Sequence, residues 1–583
     1  MMRALLVGCL GVPPVAAPQP QQPWFFAPST ERIFLDSLAP ADAPAATMSL
    51  AHGEQESFQI AVRWPADGPA AELPVALEWR ARSSDNSTAR QNASSGLTAH
   101  WGQVGFVWVE SIHRNSQNQN QSWWPDPILP VARLMVEPNT TASILVTVSV
   151  TPAANSAGDH VLDVRVATKL AASVDVHVES FVLPKKQSLK TKFELNPWTI
   201  KDCYERGGLS SAEGIAMLEK HQLWVLTQLK VQPTPFYFGG PQLTVEQALN
   251  LRGEGLTEIP ISTIGTWMNL STLVHEAETI FAPYIAQLVD AGVPPSDLSF
   301  YGFDEARGNE SLAQMAQSFG YLKQRFPLVR TSTTNCYIAD SLWSHNASEL
   351  PLLLRKHAVD DLYSHLTVLY PAMADALEQA GRQPLTYASW LPRLRQTQYA
   401  TGQTVNGTNF RLENPLVDVR VLMGYQLFAA RQVGFLYWSL MDRLASHAPL
   451  NVTAMRSPRL DRGVWNLSSD PSKQQIVQGD GELYYPGVDG PLHSLRSVAI
   501  RDGVEDFQYL ALLAERLGSR VMAAENCLPV ASTGLGRHTR SIAVLLRARA
   551  AAAQMLETLP GIKTDETAAA HASFAAQLQT HPA

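Results

Sequence analysis

The sequence has few cysteines and no excess of basic charge. Its 583 residues include four cysteines. Cys9 lies in the predicted signal peptide, so that Cys203, Cys336 and Cys527 remain. Three cysteines can form at most one disulfide among themselves. A chain of this length therefore depends on hydrophobic cores and not on a disulfide scaffold. The formal net charge of −8 argues against nucleic acid or an anionic membrane as a partner, because a basic surplus is needed to neutralise phosphates.

Several common site motifs are also missing from the sequence. The sequence contains neither G-x-G-x-x-G nor G-x-x-x-x-G-K-[ST], and its histidines show no metal-binding spacing. No segment has the roughly 18 unbroken apolar residues that are needed to cross a bilayer. We therefore expect no nucleotide cofactor, no metal and no membrane span. The oligomeric state is left open.

Two features indicate the secretory pathway. Residues 1–20 combine an arginine, a short apolar run and small residues, as a signal peptide does, with a disordered tail as the alternative. N-x-[ST] sequons are also far more frequent than the roughly three expected by chance. We expect a secreted or lysosome-like luminal glycoprotein. The sequons are those of Asn86, Asn92, Asn120, Asn139, Asn269, Asn309, Asn346, Asn406, Asn451 and Asn466.

Period-two alternation predicts a β-rich first domain over residues 28–183. The segment SILVTVSV, residues 143–150, alternates apolar with small polar side chains, which is typical of half-buried antiparallel strands. Short strands separated by polar turns favour a β-sandwich. A linker, LPKKQSLK, follows this domain.

From residue 190 to residue 520 the pattern changes to helical stretches that alternate with short apolar strands. Seven or eight such units imply parallel strands with crossover helices, and a closed (β/α)8 TIM-like barrel is favoured over an open doubly wound sheet. The alanine-rich region 521–583 is interpreted as helices that close the barrel. The predicted fold is thus multidomain β plus α/β, with an N-terminal β-sandwich followed by the barrel.

Carboxylates and aromatic residues follow the predicted barrel strands, where the active sites of such barrels lie. Asp304 and Glu305 come directly after the strand SFYGF. Aromatic rings pack against the apolar faces of sugars, so this combination favours a sugar site, although rim packing is the alternative for each ring taken singly. The candidate substrate-binding aromatics are Tyr337, Tyr370, Tyr387, Trp390 and Trp438.

The two adjacent acids allow two interpretations. Asp304 could cap a helix and Glu305 could lie in its first turn, although Asn309 is the better cap because helical periodicity starts near Glu310. Alternatively the pair is catalytic. Adjacent side chains diverge, so they cannot easily flank a glycosidic bond with carboxyls about 5 Å or more apart. Adjacency fits substrate-assisted hydrolysis better, in which a 2-acetamido oxygen attacks C1.

A second stretch, residues 479–513, reads GDGELYYPGVDGPLHSLRSVAIRDGVEDFQYLALL. Together with YGFDEA and GFLYWSL it resembles glycoside hydrolase family 123, the β-N-acetylgalactosaminidase-like family. The resemblance covers roughly residues 185–515. It implies a β-sandwich followed by a (β/α)8 barrel, and a retaining, substrate-assisted mechanism.

By this resemblance, Asp304 orients the acetamido group and Glu305 is the acid/base. Ala306 departs from the family pattern, since proline commonly follows the pair. The implied substrate is a glycan or glycolipid that ends in β-linked N-acetylgalactosamine. The alternatives are a hexosaminidase that acts on N-acetylglucosamine, a carbohydrate-binding protein without turnover, and a purely structural surface protein.

For the charged residues of the RDGVED segment, the sequence favours a structural role. Arg501, Asp502, Glu505 and Asp506 are expected on or beside a helix, where an arginine and an acid three to five positions apart form ion pairs. We therefore assign them no part in catalysis.

Overall fold

The structure is a computed structural model. It describes residues 24–40, 46–81, 96–109, 122–154, 156–236, 239–241, 243–306, 308–335, 349–365, 371–388, 395–397, 404–406, 409–442, 447–462, 465, 479–527, 532–534 and 537–559.

The first domain is a β-sandwich. One sheet has the strand order β1-β3-β9-β6-β7 and the other β2-β11-β10-β5, and apolar side chains of both sheets share one buried core. Neighbouring strands are antiparallel, as predicted, except that β2 runs parallel to β11. The strands are β1 (Trp24–Pro28), β2 (Thr47–His52), β3 (Gln55–Arg63), β4 (Ala71–Leu73), β5 (Val75–Ala81), β6 (Leu97–Val109), β7 (Ser122–Leu129), β8 (Leu134–Val136), β9 (Thr141–Val150), β10 (Gly158–Val166) and β11 (Lys169–Val182).

The second domain is an eight-stranded parallel barrel, which confirms the predicted fold class. The order β13-β12-β21-β18-β17-β16-β15-β14 places the strands in chain order around a nearly closed ring. Three small hairpins, β19/β20, β22/β23 and β24/β25, accompany it. The remaining strands are β12 (Lys190–Glu194), β13 (Pro233–Thr234), β14 (Ile259–Ile264), β15 (Leu298–Gly302), β16 (Arg330–Asn335), β17 (Asp361–His365), β18 (Leu385–Ala388), β19 (Arg395–Thr397), β20 (Thr404–Asn406), β21 (Gly434–Tyr437), β22 (Tyr485–Gly487), β23 (Gly490–Leu492), β24 (Ser532–Gly534) and β25 (Arg537–His538).

Helices connect the barrel strands, and their ends follow ordinary capping chemistry. Ser210 and Glu213 form a capping box at the start of α2, and Gly518 ends α11 in the left-handed conformation. The helices are α1 (Pro197–Arg206), α2 (Ser211–Gln228), α3 (Val245–Gly253), α4 (Leu270–Glu276), α5 (Ala282–Asp290), α6 (Gly308–Arg325), α7 (Leu350–Lys356), α8 (Pro371–Gln379), α9 (Leu416–Val421), α10 (Leu427–Ala429), α11 (Leu495–Leu517), α12 (Arg520–Cys527) and α13 (Ile542–Thr558). Single π-helical turns, Ala277–Phe281 and Leu422–Gln426, join α4 to α5 and α9 to α10.

The region after residue 520 reaches both domains. Helix α13, the last one within the described residues, packs against α11 and α12, and also against the sandwich strand β11. This described helix of the region that we expected to close the barrel therefore contacts both domains.

The two domains share a buried interface of charged residues. Along β9 both faces are buried, because the face that does not enter the sandwich core contributes Leu145 to the core of the barrel domain. Arg420 of α9 donates to both carboxylate oxygens of Glu56, at 2.9 Å each, and to those of Asp506 at 2.7 and 3.0 Å. The interface thus joins a sandwich strand to two barrel-domain helices through one guanidinium group.

The RDGVED segment of α11 supplies half of the charged residues of this network. Arg501 donates to Asp502 and, across the interface, to the Ser57 hydroxyl at 2.8 Å. From α13, Arg549 reaches Asp506 at 2.9 Å. The structural role predicted for Arg501, Asp502, Glu505 and Asp506 agrees with these contacts. The residues are fully buried between domains, however, and are not a row of exposed helix pairs.

The network around Arg420 includes five carboxyls and three guanidinium groups. The acids are Glu54, Glu56, Asp502, Glu505 and Asp506, and the bases are Arg420, Arg501 and Arg549. Although burial favours protonation, Arg420 and Arg549 hold the pKa of Glu56 down at about 2. Burial, with Glu56 nearby, raises the pKa of Asp502 to about 6 despite Arg501. Burial also raises the pKa of Glu54 and Glu505. Burial thus shifts three of the five carboxyls towards their protonated forms.

We expect this network to make the protein less stable as pH rises from about 4 to about 6. The pKa of Asp502 is higher in the folded state than its ordinary value of 3.8, so the folded state binds the proton more tightly. The stabilisation is present below pH 4 and is lost as pH rises through the folded value. Free energies of unfolding measured across this window should fall for the native protein and fall less for Asp502→Asn. Parallel curves for the two proteins would contradict this expectation.

Candidate active site

The paired acids follow the fourth strand of the barrel in chain order. Strand β15 ends at Gly302, which lies so close to β14 that a β-carbon there would stand 2.1 Å from the Ile264 carbonyl oxygen. The chain then turns sharply, with Phe303 at φ +51° and Glu305 at φ +48°. Non-glycine residues seldom adopt this left-handed conformation, and such strain concentrates at functional sites. The turn presents both carboxylates at the C-terminal end of the barrel.

Two hydroxyl groups fix the Asp304 carboxylate. The Tyr301 hydroxyl donates to Asp304 Oδ1 at 2.6 Å, and the Thr334 hydroxyl donates to the same oxygen. Tyr301 lies on β15 and Thr334 on the neighbouring β16, and Thr334 also accepts from the backbone N–H of Glu305 at 3.2 Å. These two hydroxyls fix the position of the Asp304 carboxylate at the mouth of the barrel.

The helix-cap interpretation of the pair does not fit this geometry. Helix α6 begins at Gly308, four positions after Asp304, so Asp304 does not occupy the position that precedes the helix. Asn309 already lies within the first turn of α6, so the prediction that it caps the helix is wrong. Asp304 is exposed and Glu305 is half-buried. The pair thus belongs to the turn after β15.

Of the predicted aromatics, Trp438 is the one whose side chain lies within the described part of the chain. It follows β21, across the barrel from β15, and it is half-buried. Its indole N–H donates to Asp480 Oδ1 at 3.4 Å, and its ring covers Gly481 so closely that a β-carbon there would lie 2.5 Å from it. Tyr387 lies on β18, where only the backbone is described. Tyr337, Tyr370 and Trp390 lie outside the described residues.

The GDG motif forms the support behind Trp438. Gly479 and Gly481 both have positive φ, +74° and +80°, which favours glycine. Between them, the fully buried Asp480 accepts from the Tyr437 hydroxyl at 2.5 Å and from the Asn409 amide at 3.1 Å. The motif therefore holds the end of β21 in place and orients the indole of Trp438.

Sequence reasoning missed a third acid, Glu194, at the end of β12. Two positions earlier, Lys192 reaches across the barrel to the hydroxyls of Ser299 and Ser332, at 3.4 and 3.1 Å. Side chains two apart on a strand share a face, so Glu194 also points into the barrel, one layer nearer the mouth. Its signal in the sequence was the period-two spacing of the charged residues in KTKFE.

Glu194 is buried at the end of β12. Burial raises its pKa well above the ordinary value, and the charge of Asp442 acts in the same direction, whereas a hydrogen bond with Ser439 opposes them. These effects favour the neutral, hydrogen-bond-donating form of this carboxyl.

A cleft of about 500 Å³ lies at the opposite end of the barrel. Its lining includes Lys190, Glu258 and Arg330, which stand at the N-terminal ends of β12, β14 and β16. In barrels of this type, that face contributes stability and catalysis takes place at the other. We therefore place the candidate site at Asp304 and Glu305.

Among solved structures, the chain is similar to a family 123 glycoside hydrolase from Clostridium perfringens studied for glycolipid glycan hydrolysis. The identity is 12%, the match covers 95% of this chain and 99% of that one, and the TM-score is 0.60. At this identity the likeness shows the fold. The chain thus shares the sandwich-and-barrel fold of that family 123 enzyme. The resemblance that the motifs indicated is confirmed at this level.

Two other solved structures match at much lower structural similarity. A xyloglucanase from Bacteroides ovatus matches with 9% identity over 79% of this chain and 98% of that one, at a TM-score of 0.27. An FMN-binding β-glucuronidase from Facaelibacterium prausnitzii matches with 9% identity over 67% and 54% of the two chains, at a TM-score of 0.26. No family model matches the sequence, and no curated protein matches it.

Within the described residues, no helix is both long enough and apolar enough to span a bilayer.

Proposed function

We propose that the protein is a retaining exo-glycosidase that removes terminal β-linked N-acetylgalactosamine from glycans or glycolipids. The observation that supports this best is the adjacent pair Asp304 and Glu305 on a strained turn at the catalytic end of the barrel, with Asp304 held by two hydroxyls. Two neighbouring carboxyls on one turn suit a reaction in which the substrate supplies the nucleophile. The fold shared with a family 123 glycoside hydrolase is consistent with this chemistry.

In the proposed reaction the two acids act on different atoms of the substrate. Asp304 accepts a hydrogen bond from the acetamido N–H, which turns the acetamido oxygen towards C1 and stabilises the positive charge that develops on the oxazoline-like ring. Glu305 donates a proton to the departing oxygen and then, as a base, removes a proton from the incoming water. The C1–oxygen bond of the aglycone breaks as the acetamido oxygen bonds to C1. Water then opens the ring with net retention at C1.

The test is a panel of aryl glycosides that differ only at the sugar. We expect hydrolysis of the β-N-acetylgalactosaminide and none of the β-galactoside, because the latter lacks the attacking acetamido oxygen. Proton NMR of the first product should show the β-anomer. Hydrolysis of the plain galactoside at an equal rate, or an inverted product, would overturn the mechanism. Faster hydrolysis of the N-acetylglucosaminide would reassign the sugar.

The second candidate is a carbohydrate-binding protein of the same fold without turnover. Such a protein would bind the sugar with the same aromatic and polar groups at the barrel mouth, but binding alone does not require a proton donor. Binding of β-N-acetylgalactosaminides in calorimetry without hydrolysis would favour it.

We also propose that the protein passes through the secretory pathway as a glycoprotein. Four sequon asparagines within the described residues, Asn139, Asn269, Asn309 and Asn451, are exposed and accessible to glycosylation. Treatment of protein from its own cells with an N-glycan-removing enzyme should increase its gel mobility. The control is the same treatment of protein made in bacteria. Unchanged mobility of the native material would argue against this location.

A further inference from the structure

A tryptophan in the loop that follows the neighbouring strand β14 is largely exposed. Trp267, in the loop after β14, has 63% of its surface in contact with solvent. Strands β14 and β15 are neighbours, with Ile264 opposite Gly302 and the Phe303 N–H donating to the Ile264 carbonyl at 2.9 Å. Neighbouring strands lie about 5 Å apart. The loop that carries Trp267 therefore runs beside the turn that carries Asp304 and Glu305.

The ring and its loop make defined contacts. The indole packs over Gly265, where a β-carbon would stand 1.8 Å from the ring, so a side chain at this position would displace the indole. The Gln314 side chain donates to the carbonyls of Thr266 and Met268, at 3.2 Å each, from the facing helix α6. The Met268 side chain is anchored in the hydrophobic core. A large apolar ring is thus presented to solvent by a hydrogen-bonded loop beside the turn that carries the acids.

We propose that Trp267 is a stacking platform for the aglycone side of the substrate, and so a specificity-determining residue. This inference rests on the proposed function. Exposed indole rings bind the apolar faces of sugar rings, and the aromatic contact contributes beyond the buried area. A sugar that continues past the scissile bond would lie over Trp267 while the terminal sugar occupies the barrel mouth. The residue then favours extended glycans over substrates with a minimal aglycone.

The alternative to the substrate as the group that stacks on this ring is a glycan attached to the protein itself. Trp267 stands two positions before the sequon Asn269-Leu270-Ser271. The Asn269 side chain caps α4 and accepts from the backbone N–H of Thr272 at 2.9 Å. Substitution Asn269→Asp removes the sequon and keeps a good helix cap. The variant therefore separates the two occupants.

The experiment compares two substrates. One is N-acetyl-β-galactosaminyl fluoride, which has the smallest aglycone, and the other is an oligosaccharide that ends in β-linked N-acetylgalactosamine. In the Asn269→Asp background, Trp267→Ala should lower kcat/KM on the oligosaccharide roughly tenfold and leave the fluoride unchanged, because stacking is lost for one substrate only. Trp267→Phe should retain most of the activity. Leu328→Ala, an exposed apolar residue before β16 at the opposite face, is the control and should change neither.

Equal losses on both substrates, or no loss on either, would overturn the inference. A third outcome would also overturn the inference for the native protein: Trp267→Ala has no effect while Asn269 is glycosylated, and Asn269→Asp alone raises turnover of the oligosaccharide. The attached glycan, and not the substrate, would then cover the ring. If the native protein hydrolyses neither substrate, the proposed function fails. Calorimetry with the intact oligosaccharide then tests the platform separately: weaker binding by Trp267→Ala supports it, and equal binding refutes it.

Discussion

Replacement of Glu305 by glutamine should lower turnover by about 10²–10⁴-fold, because the amide keeps the shape of the side chain but cannot transfer a proton. The loss should be greatest for poor leaving groups, which need protonation, and should shrink for activated phenols. Rates on one good and one poor leaving group measure this difference. A matched control is Glu310→Gln in the exposed first turn of α6, which should leave both rates unchanged.

Asp304→Asn should behave differently from Glu305→Gln. The substitution removes the acceptor for the acetamido N–H, and so the stabilisation of charge on the oxazoline-like ring, whatever the leaving group. Its defect should therefore persist on activated phenols. Melting curves for both variants exclude unfolding as the cause. Equal, leaving-group-independent defects would refute this division of roles, and full activity in both variants would refute the catalytic assignment.

Replacement of Arg420 by methionine should destabilise the protein by about 3–5 kcal/mol. The guanidinium is buried and donates to Glu56 and Asp506, and removal of one partner leaves buried charges without compensation. Denaturant unfolding of the variant and of the native protein measures the effect. Because the network joins the sandwich to α9 and α11, the two domains should also separate into distinct transitions more readily in the variant.

The control for Arg420 is Arg252→Met, at a partly exposed pair with Asp297 whose nitrogen and oxygen lie 2.7 Å apart. Exposed pairs contribute about 1 kcal/mol or less, because water screens them. If Arg420→Met lowers the free energy of unfolding no more than Arg252→Met does, the interface network contributes no more to stability than an ordinary surface pair.

Sequence patterns predicted the structure correctly where it depends on residues that are close together in the chain. Period-two alternation identified β9 and its neighbours, because one face of each strand enters the sandwich core. The alternation of helices and strands identified the barrel, because a parallel strand needs a crossover connection. The pair Asp304 and Glu305 was identifiable because two adjacent acids directly follow an apolar strand.

Other features depended on contacts between distant parts of the chain. The second face of β9 looked solvent-exposed in the sequence, yet it is buried against the barrel domain. Strand β13 contains only Pro233 and Thr234, too few residues for any period to show. Glu194 was missed because the direction of its side chain follows from a tertiary contact. Lys192, two positions earlier on the same face of the strand, reaches a hydroxyl on the opposite side of the barrel.

The sequence by itself determined the order of the two domains, the class of each, and the position of the paired acids at a strand end. These follow from periodicity and from residue types that are adjacent in the chain. Only the tertiary structure decided that the acids of RDGVED meet Glu56 and Arg549 in a buried network, because those partners are several tens to hundreds of residues away in sequence. It also decided that Tyr301 and Thr334 hold Asp304, and that Trp267 stands exposed in the loop after the neighbouring strand. Burial and hydrogen bonding between strands arise from packing, which no local pattern encodes.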